Sequence, residues 1–389
     1  MAATLPLTAT AAPQTRTALL GALAAALLAW GAYVTAGWRQ AALALVGVLL
    51  GFVLKHADFG FTSAWRRLLV LGDGRGLRAQ MLMLAVASVL FFPAVLYGIG
   101  GERVYGAHAP VGTSVLVGAF VFGIGMQLAN GCASGCLFAL GGGSTRMVVV
   151  LVFFVAGSVL GAAHAPWWWS LPHLGVISLP HRLGLWPALA LQLAVLGAIA
   201  LASLWWERRK GFVPEPGPRA WRTLRGPWPL WAGALALAFL NFATLWLAHR
   251  PWGITGAFAL WGAWVLDALG VAVREWPYFR AYGPAFDMPF FADVTSVMNV
   301  GIVVGALVAA ALAGTFRPLQ RLSLRELLAA ALAGILLGYG ARLAFGCNIG
   351  AFFSGAASGS LHGWLWMVAA LAGSWVGTRL RPLCGLSRV

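Results

Sequence analysis

The sequence contains very little charge. Of its 389 residues, 9% are charged and only 10 are acidic, whereas 61% are hydrophobic. A soluble protein of this length needs far more charge to cover its surface, so the composition excludes a soluble globular protein. Apolar runs of helical length recur along the whole chain, and this pattern is typical of an all-α polytopic membrane protein.

The sequence also lacks the signatures of several other protein classes. Its 4 cysteines do not have the spacing of a secreted disulfide framework. No nucleotide-binding loop, metalloprotease signature or nucleophile–base–acid set is visible, so we expect neither an enzyme nor a cofactor. The net charge of +16 arises from basic residues clustered between apolar spans. That pattern indicates cytoplasmic loops and argues against nucleic-acid binding.

Hydropathy predicts about ten transmembrane helices plus two re-entrant segments. A bilayer core of about 30 Å requires about 20 apolar residues per helix. The first such run could pass for a signal peptide, but its length and the spans that follow favour an uncleaved helix. The predicted spans are 17–35, 41–57, 79–98, 113–130, 147–164, 185–206, 228–248, 294–314, 327–346 and 363–379.

The segments 59–71 and 252–272 are apolar but harder to place. If both enter the membrane and return on the same side, all the basic loops face the cytoplasm, and so do both chain termini. We therefore expect these two segments to be re-entrant.

Two stretches of the chain resemble each other. Gly123–Gly135 and Gly338–Gly350 are identical at seven of thirteen positions, including four glycines and one cysteine. Phe59–Trp65 similarly matches Trp252–Phe258. Internal duplication of this kind is a mark of membrane transporters, and interrupted segments at matching positions indicate the substrate site.

The span count gives each segment of the first half the opposite direction to its counterpart. We therefore expect two inverted repeats related by a pseudo-twofold axis in the membrane plane. The predicted organisation is an extra N-terminal helix in 1–40, a first repeat in 41–179, a linking helix and cytoplasmic loop in 180–225, and a second repeat in 226–389.

Glycine-rich breaks interrupt the helices at bilayer depth. At Gly131 and Gly346 the backbone leaves the helix, which is tolerable only where it lines a cavity or is buried in protein. Helix N-termini beside such breaks offer unpaired N–H groups and positive dipole ends, and these favour an anion. Asn130 and Asn348 supply neutral donors next to the breaks.

The cysteines in the repeated motif are candidate pathway residues. Cys132 and Cys347 occupy equivalent positions, so the pseudo-twofold axis should bring them close together. A buried cysteine is usually a small hydrophobe, and this interpretation suffices for Cys384 and for Cys136 taken alone. A disulfide or metal site built from Cys132 and Cys136 is a further alternative, although no His or carboxylate lies close in sequence to complete a metal shell.

Arg342 is the strongest candidate for a buried anion ligand. It lies within an apolar stretch, five residues before Cys347, and ionisable groups inside membrane spans are costly enough to suggest a function. The alternative is an interfacial arginine whose side chain extends to water. Trp167–Trp169 are expected in the aromatic belt at the outer interface rather than in a ligand site.

Along Asn130–Gly135, Gly338–Gly355 and Ala357–Gly363 the sequence resembles the YeeE/YedE family of bacterial sulfur-transport membrane proteins. Pro251–Gly262 and Asp293–Asn299 also look like that family. The resemblance implies a multi-pass importer of thiosulfate in the bacterial inner membrane. It also implies an hourglass of inverted repeats with cysteines along its axis, and handover to a cytosolic sulfurtransferase of the TusA type.

The chain departs from the family at one point. Members often carry a cysteine in the first re-entrant motif, about where this chain has Gly60. The expected substrate pathway is lined by Cys132, Cys347, Cys136, Arg342, Asn130, Asn348, Gly131 and Gly346. Two alternatives stay open: a transporter of a related sulfur or selenium compound, and a membrane thiol subunit that transfers sulfur as a persulfide.

The loop charges make the topology testable. Reporter fusions at Gly217, within the basic loop 207–225, and at the C-terminus should both report a cytoplasmic location. A periplasmic signal from either fusion would contradict the inverted arrangement of the repeats.

Overall fold

The computed structural model describes residues 12–213, 221–280 and 283–389. The middle of the predicted cytoplasmic loop, including Gly217, therefore lies outside the described residues. The first part of the chain forms α1 Thr15–Ala36, α2 Trp38–His56, α3 Phe61–Leu71, α4 Arg75–Tyr97, β1 Pro110–Gly112, α5 Thr113–Ala129, α6 Ala133–Gly141, α7 Thr145–Trp169, β2 His173–Val176, α8 Leu179–Leu183 and α9 Leu185–Arg209.

The second part repeats the alternation of long and short helices. It forms α10 Leu230–Ala248, α11 Thr255–Ala268, α12 Pro277–Arg280, α13 Val294–Leu312, α14 Leu324–Leu343, a π-helical turn Asn348–Phe353, α15 Ser354–Ala357 and α16 Leu361–Leu380. Short 3₁₀ turns occupy Val273–Glu275, Gly283–Phe286, Phe290–Ala292 and Arg381–Cys384. The only sheet in the described chain is the antiparallel pair β1–β2.

This architecture confirms the predicted all-α polytopic class. A long helix lies at each of the ten predicted spans. Within the described residues, 9 helices are long and apolar enough to cross a membrane. α16 has 20 residues but is not among them. Many large apolar side chains, such as Leu19, Trp30 and Leu332, are exposed on the surface, as expected of a multi-pass protein surrounded by lipid.

The two segments that hydropathy placed least clearly form short helices. α3 has 11 residues and α11 has 14. At about 1.5 Å per residue, even α11 is only about 21 Å long, so neither helix crosses a 30 Å hydrocarbon core alone.

The long helices pack in a reciprocal pattern. α5 packs against α16, and α7 packs against α14. α2 packs against α13, and α4 packs against α10. α5 and α14 also contact each other directly at the centre of the molecule. The helices that precede and follow each break are therefore held by helices from the other half of the chain.

Glycine allows the central helices to approach closely. A Cβ at Gly118 would lie 2.6 Å from the Cβ of Leu343, and one at Gly125 would lie 3.0 Å from the Cβ of Leu336. Residue numbers rise along α5 while those of its neighbours on α14 fall, so the two helices are antiparallel. The break after α5 and the break after α14 consequently lie towards opposite ends of this helix pair.

Glycine at the α2–α13 crossing is expected to be essential for stability. A Cβ at Gly305 would lie 1.8 Å from the carbonyl oxygen of Val48, so Gly305→Val should lower stability by about 1–3 kcal/mol or more through overpacking. Gly197 of α9 has no atom within 4 Å of a Cβ position and provides the control variant Gly197→Val. Thermal unfolding in detergent measures both variants, and equal midpoints would contradict the close-packing explanation.

Candidate functional site

The two helix breaks have the same backbone geometry. Asn130 and Phe345, at equivalent positions, adopt left-handed conformations with φ of 66° and 59°. The glycine that follows each donates its N–H five residues back, Gly131 to Met126 at 3.1 Å and Gly346 to Ala341 at 2.8 Å. A left-handed phenylalanine is uncommon and costs energy. The surrounding structure must therefore stabilise the strained conformation of Phe345 at the second break.

The glycine at each break allows its backbone to lie close to the first turn of the following helix. A Cβ at Gly346 would lie 2.8 Å from the backbone nitrogen of Ala351, and one at Gly131 would lie 3.1 Å from that of Cys136. Gly346 also has a φ of +149°, which side-chain-bearing residues rarely adopt. The residue after each glycine is the cysteine, in extended conformation, that precedes the short helix.

The structure buries the three predicted pathway cysteines. Cys132, Cys136 and Cys347 are 1%, 0% and 0% exposed, and Cys384 is partly exposed near the C-terminus. All four are free thiols. The sulfur of Cys132 lies 3.3 Å from the hydroxyl of Ser134, and the thiol of Cys136 donates to the carbonyl of Gly131 at 3.7 Å. Within the described residues no cluster of His, Cys, Asp or Glu could hold a metal.

The two predicted asparagines differ in their surroundings. Asn348, directly after Cys347, is fully buried, and neither atom of its amide has a hydrogen-bond partner among the described residues. An unsatisfied buried amide is costly, so it marks a position that a ligand can stabilise. The side-chain oxygen of Asn130 instead accepts a hydrogen bond from Arg66 at 2.8 Å.

Beside the second break lies a cavity of about 360 Å³, here named the Arg342 cavity. Arg342 is only 6% exposed. Its guanidinium donates to the hydroxyl of Tyr278 at 2.7 Å and to the hydroxyl of Thr255. This is not the geometry of an interfacial arginine that extends to water. The cavity is lined by Ala107, Trp169, Pro251, Trp252, Gly253, Ile254, Thr255, Gly256, Pro277, Tyr278, Arg342, Phe345, Gly346, Gly350 and Ser354.

The lining of the Arg342 cavity is rich in hydrogen-bond donors. The indole N–H groups of Trp169 and Trp252 are buried and have no partner among the described residues. None of the described lining residues is acidic. A cavity with a fixed cation, spare N–H donors and no carboxylate suits an anion.

Several residues of this cavity were not predicted from the sequence. Trp169 was predicted only as part of the outer aromatic belt; its ring also stacks on Phe345 with centroids 5.3 Å apart and borders the cavity. Thr255 could have been found, because it is equivalent to Thr62 in the duplicated motif. Gln127, equivalent to Arg342, donates to the carbonyl of Thr62 at 3.3 Å. Tyr278 belongs to a segment without a counterpart in the first half, so the internal duplication could not identify it as a site residue.

A second cavity of about 440 Å³ lies beside the first break and is here named the Cys132 cavity. Since α5 and α14 are antiparallel, it lies towards the opposite end of the central helix pair from the Arg342 cavity. Its lining combines cationic and polar groups with a single carboxylate among the described residues. It is lined by Lys55, Asp58, Gly60, Thr62, Ser63, Arg66, Asn130, Gly131, Cys132, Gly135, Phe138, Ala139, Gly142, Ser144, Thr315, Arg317 and Gln320.

Arginines also hold the C-terminal end of α5 near the Cys132 cavity. Arg146 donates to the carbonyl of Leu128 at 2.7 Å, and Arg381 donates to that of Gln127 at 2.6 Å. Both satisfy carbonyls that the end of the helix leaves without a partner, and their charge complements the negative end of the helix dipole.

Other cations in this region are neutralised by carboxylates. Burial raises the pKa of Asp73, yet hydrogen bonds from Arg75 and Arg67 lower it to about 2. Arg67 lies 2.8 Å from Asp73, and Arg78 lies 2.7 Å from Glu207. These arginines are therefore parts of ion pairs, unlike the cations that line the Cys132 cavity.

Comparison with known proteins gives consistent matches. Residues 56–376 match the family described as sulphur transport. A protein named thiosulfate transporter TsuA, from Spirochaeta thermophila, is 29% identical over 343 residues, which are 85% of this chain and 96% of that protein. A thiosulfate transporter TsuA from Escherichia coli is 25% identical over 359 residues, 86% of this chain and 93% of that protein. The probable transporter YedE of Escherichia coli is 32% identical over 169 residues, 42% of each chain.

Proposed function

Because the chain belongs to the sulphur transport family, it is a membrane transporter rather than an enzyme, and we propose that the anion it carries is thiosulfate. Two relatives that match most of its length are named thiosulfate transporters. The observation that carries the proposal is the buried Arg342 at the Arg342 cavity, where no described lining residue is acidic. A fixed, desolvated cation of this kind compensates part of the hydration that a dianion loses.

The proposed substrate pathway passes the two breaks. Arg342 and the indole N–H groups of Trp169 and Trp252 receive the oxygens of the anion, and the amide of Asn348 meets it beside Cys347. The thiols of Cys347, Cys132 and Cys136 then offer weak S–H donors, which suit the soft terminal sulfur of thiosulfate. Weak contacts at several places allow the ion to move on rather than remain trapped.

The proposed organisation is a pair of inverted repeats, 41–179 and 226–389. The reciprocal packing of α5 on α16 and α7 on α14 supports it, because such pairs exchange under a pseudo-twofold axis. The similar breaks at Gly131 and Gly346 also support it. In this arrangement the Arg342 cavity opens to the outside and the Cys132 cavity opens to the cytoplasm.

The proposed location is the bacterial inner membrane, with thiosulfate handed to a TusA-like sulfurtransferase in the cytosol. Basic residues near the Cys132 cavity, including Arg66 and Arg381, support a cytoplasmic orientation of that end.

Uptake of radiolabelled thiosulfate into proteoliposomes containing the purified full chain tests the function directly. Thiosulfate should accumulate inside, and excess unlabelled thiosulfate should suppress the signal. Preferred uptake of selenite or sulfite would instead assign a different anion. A persulfide on Cys132 or Cys347 without net uptake, detected by mass spectrometry, would contradict the transporter.

Cys132→Ala and Cys347→Ala should each abolish thiosulfate-dependent growth while leaving the amount of protein in the membrane unchanged. Cys384→Ala provides the control, because this partly exposed residue lies outside both breaks and its loss should have no effect. Growth assays with quantitative membrane blots measure these outcomes. Equal growth of all three variants would show that the cysteines only fill space.

Arg342→Gln should weaken the apparent affinity for thiosulfate by about 1–3 kcal/mol, or roughly fivefold to 150-fold, because a charge-assisted hydrogen bond is lost. Arg342→Lys should restore only part of the affinity, since lysine lacks the planar fork that binds two oxygens. Concentration-dependent uptake into proteoliposomes gives the affinity. An unchanged value for Arg342→Gln would exclude a direct role for Arg342.

A further inference from the structure

We propose that the Cys132 cavity is a second binding site for a divalent tetrahedral oxyanion, formed by Lys55, Arg66 and Arg317. In the transport cycle it holds the anion after the cysteines and before release. This inference rests on the proposed function, because it assigns the final position on the same pathway.

The cations of this cavity are available to a ligand. Lys55 and Arg317 line the cavity and make no side-chain hydrogen bond or ion pair within the described residues, although Asp58 attracts Lys55 electrostatically. Arg66 uses one terminal nitrogen to bind Asn130 at 2.8 Å, whereas its buried Nε has no partner among the described residues. The single acidic residue of the lining, Asp58, leaves an excess of positive charge. Such an excess around a cavity favours an anion.

A neutral donor points to a ligand independently of the charges. Thr62 lines the cavity and is only 3% exposed, yet its hydroxyl has no hydrogen-bond partner within the part of the chain that the structure describes. Buried hydroxyls are normally hydrogen-bonded, so this one is satisfied when a ligand oxygen occupies the cavity. Lys55, Arg66, Arg317 and Thr62 together offer the several donors that a tetrahedral oxyanion requires.

The cavity differs from the Arg342 cavity in a way that suits release. Arg342 is buried and hydrogen-bonded to Tyr278 and Thr255, so its guanidinium is fixed in place. Arg317 is exposed, and Lys55 and Arg66 are only half-buried. Exposed cations are screened by water and salt and bind an anion weakly, as the last site before release requires.

Equilibrium dialysis of radiolabelled thiosulfate against the detergent-purified full chain tests this site. The wild-type chain should bind two thiosulfate ions, one more weakly than the other. Lys55→Gln and Arg66→Gln should each weaken the second ion at least tenfold without changing the first, and Arg342→Gln should do the reverse. Sulfate, which has the same charge and tetrahedral shape, should displace the second ion.

Arg67→Gln provides the matched control. It removes the same charge one residue away, but Arg67 is paired with Asp73 and does not line the Cys132 cavity, so both ions should still bind. Lys55 has no hydrogen-bonded partner in the described chain, so Lys55→Gln is expected to fold normally and its binding result can be interpreted directly.

A wild-type chain that transports thiosulfate but binds one ion would overturn this inference alone. Unchanged binding in both Lys55→Gln and Arg66→Gln, or failure of sulfate to compete, would also overturn it. A wild-type chain that neither binds nor transports thiosulfate would refute the proposed function itself.

Discussion

Every backbone polar group at bilayer depth needs a hydrogen-bond partner, and the rest of this structure depends on that constraint. The breaks after α5 and α14 leave carbonyls that helical bonds do not reach. Side chains from distant parts of the chain donate hydrogen bonds to these carbonyls. Arg381 donates to the carbonyl of Gln127, Ser114 to that of Leu343, and Trp366 to that of Gly346. These three carbonyls are therefore satisfied by the protein, and the N–H groups of Gly131 and Gly346 are satisfied by the carbonyls of Met126 and Ala341.

The sequence predicted the parts of this fold that depend on local composition. Apolar run length located each long helix, and the repeated glycines located both breaks. At position 346 a side chain would collide with the backbone nitrogen of Ala351, so this position requires glycine. The strands β1 and β2 were missed, since a pairing of three or four residues leaves no periodic pattern.

The lining of the candidate site was less predictable because it depends on tertiary contacts. Arg342 could be selected from its charge within an apolar stretch, but its partner Tyr278 lies 64 residues away in sequence. Trp169 follows two other tryptophans, as in an aromatic belt, and only its tertiary contacts with Phe345 and Tyr278 identify it as a cavity residue. The cations of the Cys132 cavity resemble ordinary loop charges. Contacts distinguish them from Arg67, which is neutralised by Asp73.

The position of the two cavities at opposite ends of the α5–α14 pair has an electrical consequence. If both fill with water, the transmembrane voltage falls mainly across the short closed region around Cys132 and Cys347, instead of across the whole bilayer. Moving a dianion inward against an inside-negative potential costs about 4.6 kcal/mol per 100 mV. On the proposed pathway, nearly all of this work is done while the ion passes the thiols. On the proposed pathway, the cysteine region is accordingly the voltage-sensitive step of the transport cycle.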